Sequence, residues 1–100
     1  MVSDKKLVWD KEAISELKEV YKYLKNKSLP SAKRVRDSII ETASELPKHS
    51  EIYRLDRFKK GNNNDYRAFE KYNYRVTYRI KETEVRILRV RHTSREPLES

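Results

Sequence analysis

The side chains with the most chemistry to offer stand near the C-terminal end of the sequence. Residues 66–95 carry nine Lys or Arg (Arg67, Lys71, Arg75, Arg79, Lys81, Arg86, Arg89, Arg91, Arg95) against three Glu (Glu70, Glu82, Glu84). That segment nets +6 of a formal charge of +8, which leaves +2 for the rest of the chain. Guanidinium groups pair with phosphate and carboxylate through two parallel hydrogen bonds. The expected partners are therefore polyanions: RNA, DNA, the ribosome or an acidic protein segment. His92 stands among these cations and is of the side-chain type that exchanges protons near neutral pH. RNA cleavage without a metal needs a base for the 2′-hydroxyl, cations on the scissile phosphate and an acid for the leaving oxygen. Arg75, Arg79, Arg89, Arg91 and Arg95 could supply the cations and His92 the proton transfer. The plainer alternative makes the arginines a solvated or partner-covered sheet face and His92 a strand-end residue with structural hydrogen bonds.

Other chemistries are excluded by composition. With no cysteine there is no disulfide, no zinc ribbon and no thiol nucleophile. His49 and His92 are not at ligand spacing with acidic partners, and a single glycine rules out a phosphate-cradling loop. No metal and no cofactor is expected. The longest apolar run is Leu7–Val8–Trp9, too short for a membrane span or a signal-peptide core, so a cytoplasmic protein is expected. At 100 residues, 40% charged and 36% hydrophobic, the chain can build one small core under a wet surface, hence a single domain over 1–100.

The elements that must position these residues follow from periodicity. Residues 6–10 form a short extended entry. Asp10 is placed to cap a helix over 11–26, and Trp9 and Ile14 have the spacing of a hydrophobic staple. Ile14, Leu17, Tyr21 and Leu24 recur at helical intervals, with Val20 beside them. Pro30 suits the first turn of a second helix, capped by Ser28 or Leu29. Ala32, Val35, Ile39, Ala43 and Leu46 form its apolar stripe, and Pro47 is expected to stop it. The short connection makes the helices an antiparallel pair. Residues 48–65 are less regular. Ile52, Tyr53, Leu55 and Phe58 could anchor them, and 59–65 read as a turn or loop.

A strand is expected over 66–71 and a turn at Tyr72–Asn73. Tyr74, Val76, Tyr78 and Ile80 then alternate strictly with Arg75, Thr77 and Arg79, the clearest two-residue period in the chain. The last strand, 85–92, is mixed: Leu88 and Val90 share a side with Arg86, and Val85 and Ile87 share the other with Arg89 and Arg91. A bulge or a sheet buried on both sides would account for it. The order is β-α-α-β-β-β, an α+β fold whose helices cover one face of an antiparallel meander. Arg75, Arg79, Arg89 and Arg91 are expected on the other face.

The chain resembles the RelE/ParE superfamily, the toxins of bacterial type II toxin–antitoxin systems. The resemblance runs through Leu7–Val8–Trp9, Ala32–Lys33–Arg34–Val35, Leu46–Pro47 and Tyr66–Arg67–Ala68–Phe69. It continues in Tyr74–Arg75–Val76–Thr77–Tyr78–Arg79–Ile80 and Ile87–Leu88–Arg89–Val90–Arg91–His92. It implies a two-helix hairpin packed on a curved antiparallel sheet. RelE-like members cleave messenger RNA in the ribosomal A site, and ParE-like members poison DNA gyrase without nuclease activity. Arg75 matches the arginine of the family's YR-x-x-Y strand, and Arg67 falls near a catalytic lysine of the nuclease members. Phe69 falls where a catalytic lysine stands, Thr93 where an arginine stands, and no tyrosine follows Tyr78. These departures, with the ending around His92, favour the ParE-like side.

The resemblance thus implies a toxin that inhibits gyrase and is neutralised by a cognate antitoxin with an acidic tail, docking where Leu17, Tyr21 and Tyr23 stand. Arg67, Arg75, Arg79, Arg89 and Arg91 would be its target- or nucleic-acid-binding residues. The alternative is a ribosome-dependent endoribonuclease using Arg75, His92 and Arg95. A basic nucleic-acid-binding module, or a decayed toxin that only binds, is the third reading.

Overall fold

The computed structural model describes residues 5–49 and 66–95. The expectations for Ile52, Tyr53, Leu55, Phe58 and residues 59–65 lie outside the described residues, as do those for the side chains of His49 and Arg95. The elements are β1 (Lys6–Trp9), α1 (Lys11–Lys25), α2 (Leu29–Ser44), α3 (Leu46–His49), β2 (Tyr66–Lys71), β3 (Tyr74–Ile80) and β4 (Glu84–His92), followed by a 3-10 turn at Thr93–Arg95. None of the described helices is long and apolar enough to cross a membrane.

Asp10 takes the extended backbone of an N-cap, but its side chain makes no cap bond. Its Oδ1 instead accepts from Arg86 Nη1 at 2.7 Å, tying the start of α1 to β4. Glu12 in the first turn and Lys22 and Lys25 in the last complement the helix dipole. Ser28 caps α2, its Oγ accepting the Ser31 N–H at 3.3 Å. The expectation that Pro47 stops the second helix needs correction. Helix α2 ends at Ser44, and Pro47 lies in the first turn of α3, where its missing N–H removes no helical bond.

The sheet order is β1-β4-β3-β2. Strands β2, β3 and β4 form the expected antiparallel meander, and β1 joins β4 in parallel, so the four-stranded sheet is mixed. Both long helices pack on one face. Ala13, Leu17 and Val20 of α1 and Ala32, Val35, Ile39 and Ala43 of α2 are buried there, with Leu46 of α3. The sheet contributes Phe69, Tyr74, Val76, Tyr78, Val85, Ile87 and Val90 to the same core. Each fully buried aliphatic side chain contributes about 1.5–3 kcal/mol, so burial of this face sets the strand register. On α1 the buried line runs through Ala13, not Ile14, which stays 40% exposed.

The mixed pattern of the last strand is a β-bulge. Thr77 pairs with Arg89 and Tyr78 with Ile87, so Leu88 is the extra residue. With Leu88 set aside, Val85, Ile87, Val90 and His92 fall on one side, and Arg86, Arg89 and Arg91 alternate with them.

Candidate functional sites: an arginine-bearing sheet face and a helix groove

The ladders assign each cation to a face. Residues directly opposite in a ladder point the same way, so Glu70, Arg75 and Arg91 share one rung, Ala68, Thr77 and Arg89 the next, and Tyr66, Arg79 and Arg86 the third. These rungs belong to the outer face, away from the helices. Arg67 is opposite Tyr78 and therefore belongs to the helix-side face, apart from the five arginines of those rungs.

Each outer-face arginine has a defined setting. Arg75 is only 8% exposed, and its Nη1 stands 3.2 Å from Glu70 Oε2. The Arg79 guanidinium lies 5.2 Å from the centre of the Tyr66 ring, a stacked cation whose plane is held for a planar partner. Arg86 is committed to structure: besides Asp10 it reaches Glu84 Oε2 at 2.8 Å, and hydrogen bonds to Asp10 and then Glu84 push its pKa up, so it stays a permanent cation. Arg89 departs from the expected cluster. Its Nε and Nη2 donate to Glu16 Oε2 of α1 at 3.0 and 2.7 Å, while Glu16 Oε1 accepts the Val90 N–H at 2.7 Å. The pairing of β1 with β4 ends at Ile87, and Glu16 takes the place of a strand carbonyl just beyond it. No spacing rule relates residues 16 and 89, so this clamp had no sequence signal.

His92 sits on the other side of the sheet from Arg75. It pairs with Tyr74 and meets that ring edge-on at 5.1 Å. It also lines a cleft of about 480 Å³ between α1 and the end of β4, together with Glu19, Tyr23 and Arg91. The Ser94 N–H donates to His92 Nδ1 at 3.0 Å, with Ser94 Oγ at 2.8 Å. An amide N–H can only donate, so Nδ1 carries the lone pair and the ring proton is assigned to Nε2. Arg95 ends the 3-10 turn that holds this arrangement. Thus Arg75 and Arg79 share the outer face, Arg67 and His92 lie on the helix side, and Arg91, outward by register, also reaches the cleft that His92 lines. Among the described residues no group of three or more His, Asp or Glu stands close enough to hold a metal ion.

A second feature lies on the outside of the helix pair. Trp9, Ile14, Leu17, Tyr21 and Ile40 line an almost wholly apolar groove of about 470 Å³, with the cations Lys18 and Arg36 beside it. The Arg36 guanidinium stacks 4.7 Å over Tyr21 and is fixed by Asp37 Oδ1 at 2.9 Å. Trp9 and Ile14, spaced as a staple, both face this groove, whereas Tyr23 lines the cleft on the other side of α1. Ile40, 43% exposed, lies off the α2 stripe, and an off-stripe isoleucine was the signal available in the sequence.

Comparison with known proteins places this geometry. No curated protein sequence matches the chain. Among solved structures it is similar to a toxin–antitoxin structure described as a chromosomal ParDE TA system from P. aeruginosa, with TM-score 0.71 and 21% identity, covering 88% of this chain and 95% of that one. It is also similar to a YoeB dimer from Staphylococcus aureus, with TM-score 0.57 and 15% identity, covering 90% of this chain and 98% of that one. At such identities these likenesses establish the fold of two helices on a four-stranded mixed sheet. The family model for the ParE toxin of the type II toxin–antitoxin system parDE matches residues 7–97, and the chain belongs to that family.

Proposed function

We propose that the chain is a toxin that works by binding its target stoichiometrically, with DNA gyrase as the target and a cognate antitoxin as the neutralising partner. The observation that carries this reading is the separation of Arg75 from His92. Nuclease chemistry needs a cation and a proton-transfer group on one phosphate, but the sheet stands between Arg75 and His92. What remains on the outer face is a recognition surface. Arg79 is preset by Tyr66, so little side-chain freedom is lost when it meets a carboxylate or another acceptor, while the buried Arg75, paired to Glu70, supports the face from beneath. The +8 charge adds long-range attraction to an acidic target or an acidic antitoxin.

The helix groove fits the antitoxin. An amphipathic segment laid into Trp9, Ile14 and Ile40 would bury apolar surface, and its acidic residues would meet Lys18 and Arg36. Two cell-free assays on the purified chain test the reading. Gyrase supercoiling should be blocked while messenger RNA stays intact in a translating extract. Ribosome-dependent cleavage of the message, with supercoiling untouched, would replace it by the nuclease reading.

A further inference from the structure

The turn between β2 and β3 is made by Tyr72 and Asn73, both at positive φ, 51° and 69°. Two successive residues of this kind match the right-handed twist of a hairpin, and Asn or Gly fills such positions at least cost. Tyrosine does not: its Cβ crowds the backbone in the left-handed region. Burial does not offset the strain, because Tyr72 is 51% exposed while Tyr74 and Tyr78 of the same hairpin are buried. A bulky residue that strains its own turn and leaves half its surface in water points to a use outside the fold.

The tip is also held still. The Thr93 N–H donates to Asn73 O at 2.8 Å, fastening the turn to the segment after β4. The rung next to the turn is Lys71–Tyr74–His92, and the one after it is Glu70–Arg75–Arg91. Tyr72 therefore stands at the hairpin tip, one rung beyond Lys71 and two beyond Arg91 of the outer face, and its nearest cation in sequence is Lys71. The antitoxin groove, by contrast, draws no residue from this hairpin.

We propose that Tyr72 is an anchor for the target protein, its ring entering an apolar pocket whose rim is acidic and meets Lys71 and Arg91. The proposal rests on the binding-toxin reading and extends its surface to the hairpin tip. A lone ring on a rigid tip suits a pocket in a protein. Stacking along single-stranded nucleic acid calls for successive open rings in a basic groove, and the outer-face Tyr66 ring is already covered by Arg79.

The test sets stability against function in Tyr72→Asn, made in the full chain. Asparagine tolerates the turn, so the variant should melt level with wild type or about 2–4 °C above it. Inhibition of growth on expression, and of supercoiling, should fall by about tenfold or more. Tyr72→Phe, which restores the ring, should recover most of that loss. A Tyr72→Asn variant that inhibits like wild type overturns the proposal, and so does one that melts well below it, since the ring would then be structural. Loss of affinity for a single-stranded RNA oligonucleotide with supercoiling inhibition intact also overturns it, by assigning the ring to a base. If wild type itself blocks neither growth nor supercoiling, the binding-toxin reading fails first, which separates the two failures.

Discussion

The groove on the helices and the outer face of the sheet recruit opposite chemistries from the same 100-residue chain. The groove is apolar with cations beside it: Trp9, Ile14 and Ile40 next to Lys18 and Arg36. The outer face is cationic with one aromatic support, Arg79 on Tyr66, and an arginine paired to Glu70. Binding to the first gains mainly from water released off apolar surface and depends less on salt. Binding to the second rests on charge and weakens as ionic strength rises. A toxin that must be held tightly by one partner and act on another can keep the two apart in this way, since a change on one surface leaves the other's driving force intact. The single sheet beneath both is what they share.

The largest effect comes from breaking that shared support. Val76 is fully buried between the two surfaces, and Val76→Asp places a carboxylate in the core at a cost of several kcal/mol, comparable with the roughly 5–15 kcal/mol that holds a small domain together. Circular dichroism should show no cooperative melt, and both activities should vanish. A folded Val76→Asp would mean the assigned faces are reversed.

A change confined to the groove comes next. Ile14→Asp should weaken antitoxin binding by about a hundredfold, the effect of charging an anchor position, and leave supercoiling inhibition in place. Titration calorimetry against the cognate antitoxin reads it directly, and unchanged affinity would remove the groove from the interface. Glu16→Gln is smaller. It keeps an acceptor for the Val90 N–H but loses the charge that holds Arg89. A loss of about 1 kcal/mol, or about 4–8 °C in melting temperature, is expected. Faster exchange of the Val90 amide would localise it, and an unshifted melt would show that the clamp carries no stability. The smallest effect belongs to His92→Ala. It removes the Ser94 contacts and the ring against Tyr74, yet growth arrest should stay within about twofold of wild type, because no proton transfer is asked of it. Abolished arrest in a folded variant would put His92 in the chemistry after all.

Period and composition made the frame legible. The strict alternation of Tyr74, Val76, Tyr78 and Ile80 located β3, and the Ala32–Val35–Ile39–Ala43–Leu46 stripe is buried throughout. Where the chain departs from a simple period, three-dimensional contacts decide. Either of Ile87 and Leu88 could have turned inward, and only the ladder to β3 and the burial of Val90 place the bulge so that Ile87 does. Arg67 looked like one more member of the basic set, but a strand alternates its sides and the register puts it with the helices. Arg89 was expected beside Arg91 and is instead gripped by a carboxylate 73 residues away in sequence. Side-chain pairing across such distances leaves no mark in spacing. The parallel docking of β1 on β4 is of the same kind, since a four-residue strand carries no signal of its partner's direction.

The separation of the two surfaces is tested most directly by Arg79→Ala, measured for both partners on one preparation. Arg79 lies half-buried on the outer face, its guanidinium over the Tyr66 ring. The expected result is antitoxin affinity within about twofold of wild type, together with a loss of supercoiling inhibition of about tenfold or more. Parallel loss of both in a folded variant would merge the two surfaces into one, and full inhibition by Arg79→Ala would take the arginine face out of target binding.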